Sequence, residues 1–471
     1  MTGIKDLPRD LFYQICSYLR INDLVALSSV CAQFNHWLGR QSYWKWRSHY
    51  LWNGTYPCLP EKAVDWVSVS FEREKCFMNF GDNSSTCVRM SKITVISHGI
   101  DALHIPLRHP DLLLTGDRGR VVSIFSLKSG LLSSAWHPVF IEYHSHSGWI
   151  WTINSTDDTV ITVDLPVGYP VLCSSFLDSN TLAVGTHDRD VYLLDIRSFE
   201  QNPPTRMRHR KAVLCMDAVY ENGLSSATSN NITFSMNNHI ADGDVSTEYS
   251  YHSELSSIAA SDENYDDCIV DPFEMERVIL DSRESSPIMA STNYNSKEIS
   301  NDKPEEMQFP KQSFSNVHLI TGSSDQYIAG WDVRNASQPV HKFKLTRYPR
   351  KLSLLDKDEL WVAEPPDRIH VFDIRNNQFK CAYTNQLPGW DRGFGGLKAT
   401  LGCIFAAGLH GSVEAFHPTC PLLPMSKQPL AEKVNALPTS LEYLNDILVV
   451  GSGNGSIYVW SSKDRINSLT V

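Results

Sequence analysis

Seven stretches of this 471-residue chain repeat one design, and nothing else in the sequence limits its fold as much. Each runs apolar residues, a small residue, a polar turn and then alternating apolar residues. They are LLLTGDRGRVVSIFS (112–126), IWTINSTDDTVITVD (150–164), LAVGTHDRDVYLLD (182–195), LITGSSDQYIAGWD (319–332), LWVAEPPDRIHVFD (360–373), IFAAGLHGSVEAFH (404–417) and LVVGSGNGSIYVW (448–460). Alternating apolar residues on either side of a tight turn predict a β-hairpin. The pivots are Gly116, Asn154, Gly185, Gly322, Ala363, Gly408 and Gly451, spaced 38, 31, 137, 41, 45 and 43 residues apart.

The long step has its own explanation. Between Asn230 and Asn316 stand 17 Asp/Glu and 5 Lys/Arg, a net of −12, while the whole chain carries −11. The acidity therefore belongs to one segment, rich in Ser, Asn, Asp and Glu, which cannot bury enough apolar surface to offset its ordering entropy. It reads as a disordered insertion at about 222–316, with an apolar island, CIVDPFEMERVIL (268–280). Ser286-Pro287 within it reads as a proline-directed phosphosite. With about 90 residues removed, the remaining steps suit a four-stranded propeller blade of about 40–45 residues.

Other chemistry finds little footing. No run of eighteen apolar residues predicts a membrane span, and the first twenty residues lack a signal-peptide pattern. The 11 cysteines are scattered, without CxxC or paired Cys/His spacing, which predicts no structural metal, free thiols and a cytoplasmic or nuclear setting. GSGNGS (451–456) resembles a phosphate loop but lacks the Lys-Ser/Thr that would follow. No HExxH, GxSxG or other catalytic constellation is present, so no cofactor and no bond chemistry are expected. Neither nucleic acid nor a membrane is predicted as a partner.

Before the repeats, LPRDLFYQICSYL (7–19) reads as a helix with Pro8 in its first turn and Leu7, Leu11, Ile15 and Leu19 in one stripe. NDLVALSSVC reads as a second helix, capped by Asn22 or Asp23, with Leu24, Leu27, Val30 and Cys31 inward. AQFNHWLGRQSYWKWR reads as a third, bringing Phe34, Trp37, Leu38, Trp44 and Trp46. Five of the 12 Trp lie before residue 67, more apolar surface than so small a core hides. EKAVDWVSVSFEREKCFMNF (61–80) reads as a further helix with Trp66, Val69 or Ser70, and Phe77 on one side.

Leu7-Pro8, Leu11, Ile15, Tyr18-Leu19, Asp23-Leu24, Leu27, Val30-Cys31, Phe34, Trp37 and Trp44 closely resemble an F-box, and GSSDQYIAGWDVR (322–334), with Trp331-Asp332, resembles the WD-repeat signature. The chain thus resembles the F-box/WD-repeat family. The resemblance implies a mainly β protein: a three-helix F-box domain (3–50), a linker with a helix (51–86) and a seven-bladed WD-repeat propeller (87–471) interrupted by the acidic insertion. CVRMSKITV (87–95) would close the ring, with INSLTV at the tail as a rival. It implies an adaptor-binding surface at Leu7, Pro8, Leu11, Ile15, Leu19, Leu24, Leu27, Val30, Cys31, Phe34 and Trp37. Its partners would be a Skp-type adaptor and, through it, a cullin-RING scaffold of an SCF-type ubiquitin ligase. The alternative is an interaction scaffold outside degradation.

In WD-repeat propellers the loops leading into each inner strand ring the channel mouth. Two such loops here are basic: TRMRHRKAV with Arg208, Arg210 and Lys211, and TRYPRKLSL with Arg347, Arg350 and Lys351. Arginine suits forked recognition of carboxylate or phosphate. LPGWDRGFGG adds Trp390, Arg392 and Phe394, expected to anchor an aromatic or apolar target residue. The expected target is an acidic or phosphorylated segment of a partner protein, with the acidic insertion as a rival occupant.

Overall fold

Four helices, not three, make up the N-terminal module: α1 (Arg9–Ser17), α2 (Ile21–Val30), α3 (Ala32–Leu38) and α4 (Gln41–Leu51). The expected third helix breaks where Gly39 N–H donates to Asn35 O and Arg40 turns extended. The break lets Trp44 fold back and donate from Nε1 to Leu38 O at 2.6 Å. Asp23 sits one turn inside α2 rather than at its start, accepting from Arg20 N–H at 3.3 Å. Phe12, Cys16, Ile21, Leu24, Phe34, Leu38, Tyr43 and Trp44 form the core.

In the computed structural model the described residues are 7–59, 62, 64–81, 88–94, 96, 98–133, 135–143, 146–156, 159–163, 170–198, 205–219, 317–355, 357–375, 378–430, 434, 436–462 and 465–466. The acidic segment, its apolar island, Ser286 and most of INSLTV lie outside them.

Helix α5 (Trp66–Phe80) starts where Asp65 Oδ1 accepts from Val67 N–H at 3.2 Å. Sequence periodicity gives this helix one apolar side, but both ends of it are buried, in different places. Val67 joins the helical core, while Cys76 and Phe80 join Phe405, Tyr443 and Trp460 in a propeller core. Phe77, expected on the same side as Trp66 and Val69 or Ser70, is exposed.

β1 (Val88–Ile93) opens the β region. The first blade follows: β2 (Ile100–His104), β3 (Leu112–Asp117), β4 (Val121–Ser126) and, after α6 (Leu127–Ser133), β5 (Pro138–Tyr143). A short hairpin comes next, β6 (Asn154–Ser155) and β7 (Val160–Ile161). The second blade is β8 (Val171–Phe176), β9 (Thr181–Thr186), β10 (Asp190–Asp195) and β11 (Thr205–Arg208); the third is β12 (Val213–Ala218), β13 (Leu319–Ser323), β14 (Tyr327–Trp331) and β15 (His341–Lys344). The fourth is β16 (Lys351–Leu355), β17 (Glu359–Glu364), β18 (Arg368–Asp373) and β19 (Lys380–Gln386); the fifth is β20 (Phe394–Ala399), β21 (Ile404–Gly408), β22 (Val413–His417) and β23 (Leu423–Pro424). The sixth pairs β24 (Pro438–Leu444), β25 (Ile447–Ser452) and β26 (Ile457–Ser462) with β1, which runs antiparallel to β26 from Val88↔Ser462 to Ile93↔Ile457. A strand from before the repeats therefore closes the ring.

The expectation of seven blades is corrected to six four-stranded blades among the described residues, with the 150–164 repeat reduced to the β6–β7 hairpin. Chain length explains this. Inner strands begin at Val171 and Val213, and at Lys351, Phe394 and Pro438, in steps of 42 to 44 residues; from Ile100 to Val171 the step is 71, too short for two repeats. The hairpin still fills its place. Ile150 and Ile153 pack on Ala102, Leu114 and Val122 of the first blade, and Ile161 and Val163 pack on Leu182, Val184 and Leu194 of the second.

Candidate functional site

The inner strands β2, β8, β12, β16, β20 and β24 line a central channel of about 420 Å³. The turns after β20 and β24 meet α5, where Lys75 Nζ lies 2.9 Å from Asp446 Oδ2. The loops leading into the inner strands lie at the other end. Val219 and Val317 flank residues 220–316 at the α5 end, and Val219 N–H donates to His318 O at 2.9 Å, so β12 and β13 pair across the insertion.

The predicted adaptor stripe divides. On α1 and its C-terminal cap residue, Leu11 (48 % exposed), Ile15 (45 %) and Tyr18 (83 %) share one face at i, i+4 and i+7, and Phe12 and Cys16 on the other face are fully buried. Pro8 and Val30 are exposed, whereas Leu7, Leu19, Leu27, Cys31 and Trp37 are half-buried. Leu24 and Phe34 lie inside the core, Phe34 stacked on Phe12 with ring centroids 4.8 Å apart, so they shape the module rather than present a surface.

The basic loops come to adjacent inner strands but not as one exposed cluster. Arg208, Arg210 and Lys211 are exposed. Arg208 Nε is 3.6 Å from Asp190 Oδ1, and Arg206 pairs with the same carboxylate. Arg210 N–H donates to Asp325 Oδ2 at 3.2 Å. Arg347 is half-buried, its N–H donating to Glu364. Arg350 is half-buried too, and its Nε finds no hydrogen-bond partner among the described residues. Two expectations are corrected. Lys351 turns into the channel, Nζ 3.4 Å from Thr439 O, where burial and the neighbouring Arg350 bring its pKa down to about 8. Trp390 and Phe394 are buried against each other, ring centroids 5.1 Å apart, with Trp390 Nε1 donating to Glu414 Oε1 at 3.3 Å. A packed indole of this kind anchors the loop, and only Arg392 of the set is exposed.

The channel wall carries charge that sequence reading missed. Arg118 and Asp101 pair at 2.7 Å, and Lys398 and Glu442 at 2.8 Å. Burial opposes the Lys398 ammonium, but Glu442 outweighs it and raises the pKa. Asp217 accepts from Leu354 N–H at 2.8 Å, yet burial still raises its pKa. The available signal was one charged residue inside an otherwise apolar inner strand, as in CMDAV, GLKAT and SLEYL. His209 was also missed, hidden between Arg208 and Arg210. It is buried with Nε2 2.8 Å from Thr321 Oγ1, which accepts from Trp331 Nε1 at 2.8 Å. That chain ties the loop before β12 to the third blade's interior.

Among the described residues no cluster of His, Cys, Asp and Glu is placed to hold a metal ion, and no helix is long and apolar enough to cross a membrane. Residues 4–49 match the F-box-like family. No curated protein matches the chain. The molecule joins an F-box-like module to a β-propeller.

Proposed function

We propose that the chain is a substrate-recognition subunit of an SCF-type ubiquitin ligase. Its F-box-like module docks on a Skp-type adaptor, and its propeller holds the protein to be modified. F-box domains generally bind such adaptors. One observation carries the reading: Leu11, Ile15 and Tyr18 stand exposed on a module whose core is already filled, and the residues around them match the F-box-like family. An exposed apolar face of this kind marks a protein partner. The subunit performs no bond chemistry and contributes proximity. Helix α5, shared by both cores, fixes the spacing between module and propeller, which raises effective concentration at the target.

The experiment is a pulldown of full-length chain with Leu11→Asp and Ile15→Asp. Placing two carboxylates in an interface core costs several kcal/mol (about 2–7 per group), so adaptor and cullin should both be lost while the propeller stays folded. Undiminished adaptor binding by the double variant sinks the proposal. Adaptor retained by the parent chain without cullin would instead favour the scaffold reading. For the target we propose an acidic or phosphorylated segment at the end of the channel where Arg210 and Arg350 lie. Arg210→Glu with Arg350→Glu should abolish its capture, and the parent's capture should weaken steeply with salt.

A further inference from the structure

The outer edge of the fourth blade carries a cluster that neither adaptor nor target binding uses. Cys381 lies on β19, the outermost strand, and is exposed. The pairing of β18 with β19 skips a residue: Val371 faces Tyr383, and Phe372 faces Cys381. A bulge at Ala382 follows from that register, and it turns Cys381 to the side of the sheet occupied by His370 and Thr384. In a regular ladder Cys381 would point to the other side.

On that side a continuous hydrogen-bonded chain runs inward. Cys381 Sγ is 3.6 Å from Thr384 Oγ1, Thr384 Oγ1 is 2.9 Å from His370 Nδ1, and His370 Nε2 is 2.7 Å from Glu364 Oε2. Exposure falls steadily along it: the thiol is open, His370 is 7 % exposed and Glu364 1 %. A nucleophile at the surface, a base behind it and a buried carboxylate orienting the base is the arrangement that activates cysteine. The electrostatics agree with the geometry. Burial opposes ionisation of Cys381, but His370 and Thr384 outweigh it and lower the thiol pKa. Burial likewise opposes charge on His370, and Cys381 and Glu364 outweigh it. By contrast, burial raises the thiols of Cys16, Cys76, Cys173, Cys215 and Cys403.

We propose that Cys381 is a modification site, a nucleophilic thiol held by Thr384, His370 and Glu364 that small hydroperoxides oxidise. The open strand edge, outside the central channel, suits a small reagent over a bound acyl substrate. The thiol proton passes through the Thr384 hydroxyl to His370 Nδ1. The thiolate attacks the terminal peroxide oxygen, so an S–O bond forms and the O–O bond breaks. Sulfur loses two electrons and the peroxide gains them. The leaving hydroxide or alkoxide takes the proton from His370 and departs as water or alcohol, leaving Cys381 as the sulfenic acid.

The test treats the reduced full-length chain with hydrogen peroxide and traps sulfenic acid with dimedone, reading each cysteine peptide by mass spectrometry. Cys381 should label at least tenfold faster than Cys31, which is half-buried. The charged groups about the thiol are His370 on β18, Glu364 at the end of β17 with Arg368 opposite it, and Lys380 beside it on β19. His370→Gln should slow labelling at least fivefold and move the midpoint of its pH profile upward, an effect that loosened packing alone would not give. Thr384→Val, at an exposed position, should slow it while leaving the melting temperature unchanged. Cys31 labelling as fast as Cys381 would overturn the proposal, as would parental rates in Thr384→Val.

Discussion

Two buried arginines in the junction between module and propeller illustrate how differently one residue type can be housed. Arg47, 2 % exposed, donates from Nη1 to Cys16 O and from Nη2 to Leu19 O and Glu74 Oε2, all at 2.8 Å. It satisfies the open carbonyl end of α1. Arg73, 1 % exposed, donates from Nη1 to Ser48 Oγ at 3.0 Å and lies 4.5 Å from the Trp52 ring and 5.0 Å from the Tyr56 ring. Its Nε and Nη2 have no hydrogen-bond partner among the described residues, where Arg47 leaves only Nε without one, and burial brings the Arg73 pKa down to about 10. Removing one partner of a satisfied buried pair strands the other, whereas replacing a poorly compensated charge by an apolar side chain is close to neutral. Arg47→Met should therefore cost on the order of 3 kcal/mol and Arg73→Met less than about 1 kcal/mol. Urea unfolding of both variants measures this, and equal losses would refute the distinction. The sequence shows the arginines but not which acceptors each meets, since those contacts join residues 25 to 31 positions apart.

At the scale of elements, α5 was legible as a helix and illegible as a bridge. Its buried side is one stripe that serves two cores in turn, Val67 in one and Cys76 and Phe80 in the other. Helices α1 and α2 were readable from periodicity, while the α3–α4 break falls at Gly39 and Arg40, inside an otherwise apolar-periodic run, and is closed by the Trp44 bond to Leu38 O. The junction also predicts an acid response. His417, 8 % exposed, stacks on Phe77 with centroids 5.9 Å apart, and burial together with Arg73 holds its pKa down to about 4. The unfolded imidazole titrates near pH 6.5, so between about pH 4 and 6.5 the unfolded chain binds more protons than the folded one. Stability thus rises with pH through that window and is lost as pH falls, by on the order of 2–3 kcal/mol at its lower end. His209, also held at about 4 by burial, contributes in the same direction. Melts at pH 7 and pH 5 should show a smaller drop for His417→Phe than for the parent; identical drops would remove His417 from the account.

Across the whole molecule, the hairpin period revealed the propeller, and the two short steps between pivots, 38 and 31, already held the clue to the reduced repeat. Pattern marked the 150–164 stretch as a hairpin like the others; the length of chain available explains why it has no outer strands among the described residues. The interruption at 220–316 had the opposite character, many residues with little effect on pairing. Because Val219 N–H and His318 O already meet at 2.9 Å, a short Gly/Ser linker replacing 230–312 should leave the melting temperature within a few degrees, loop closure depending only weakly on length. Ring closure is the more sensitive point. β26 is buried at every residue, with Ile457 facing Ile93 and Trp460 facing Met90 across the closing pair. Without β1, that apolar strand would present an unpaired edge, the kind that recruits other chains. A chain beginning at Asn53 keeps β1, α5 and Leu59, which is packed in a propeller core, and should remain monomeric. A chain beginning at Thr94 loses the closing strand and should elute as aggregate in size-exclusion chromatography. A monomeric product of that shorter chain with the parent's melting temperature would show that the ring closes without its N-terminal strand.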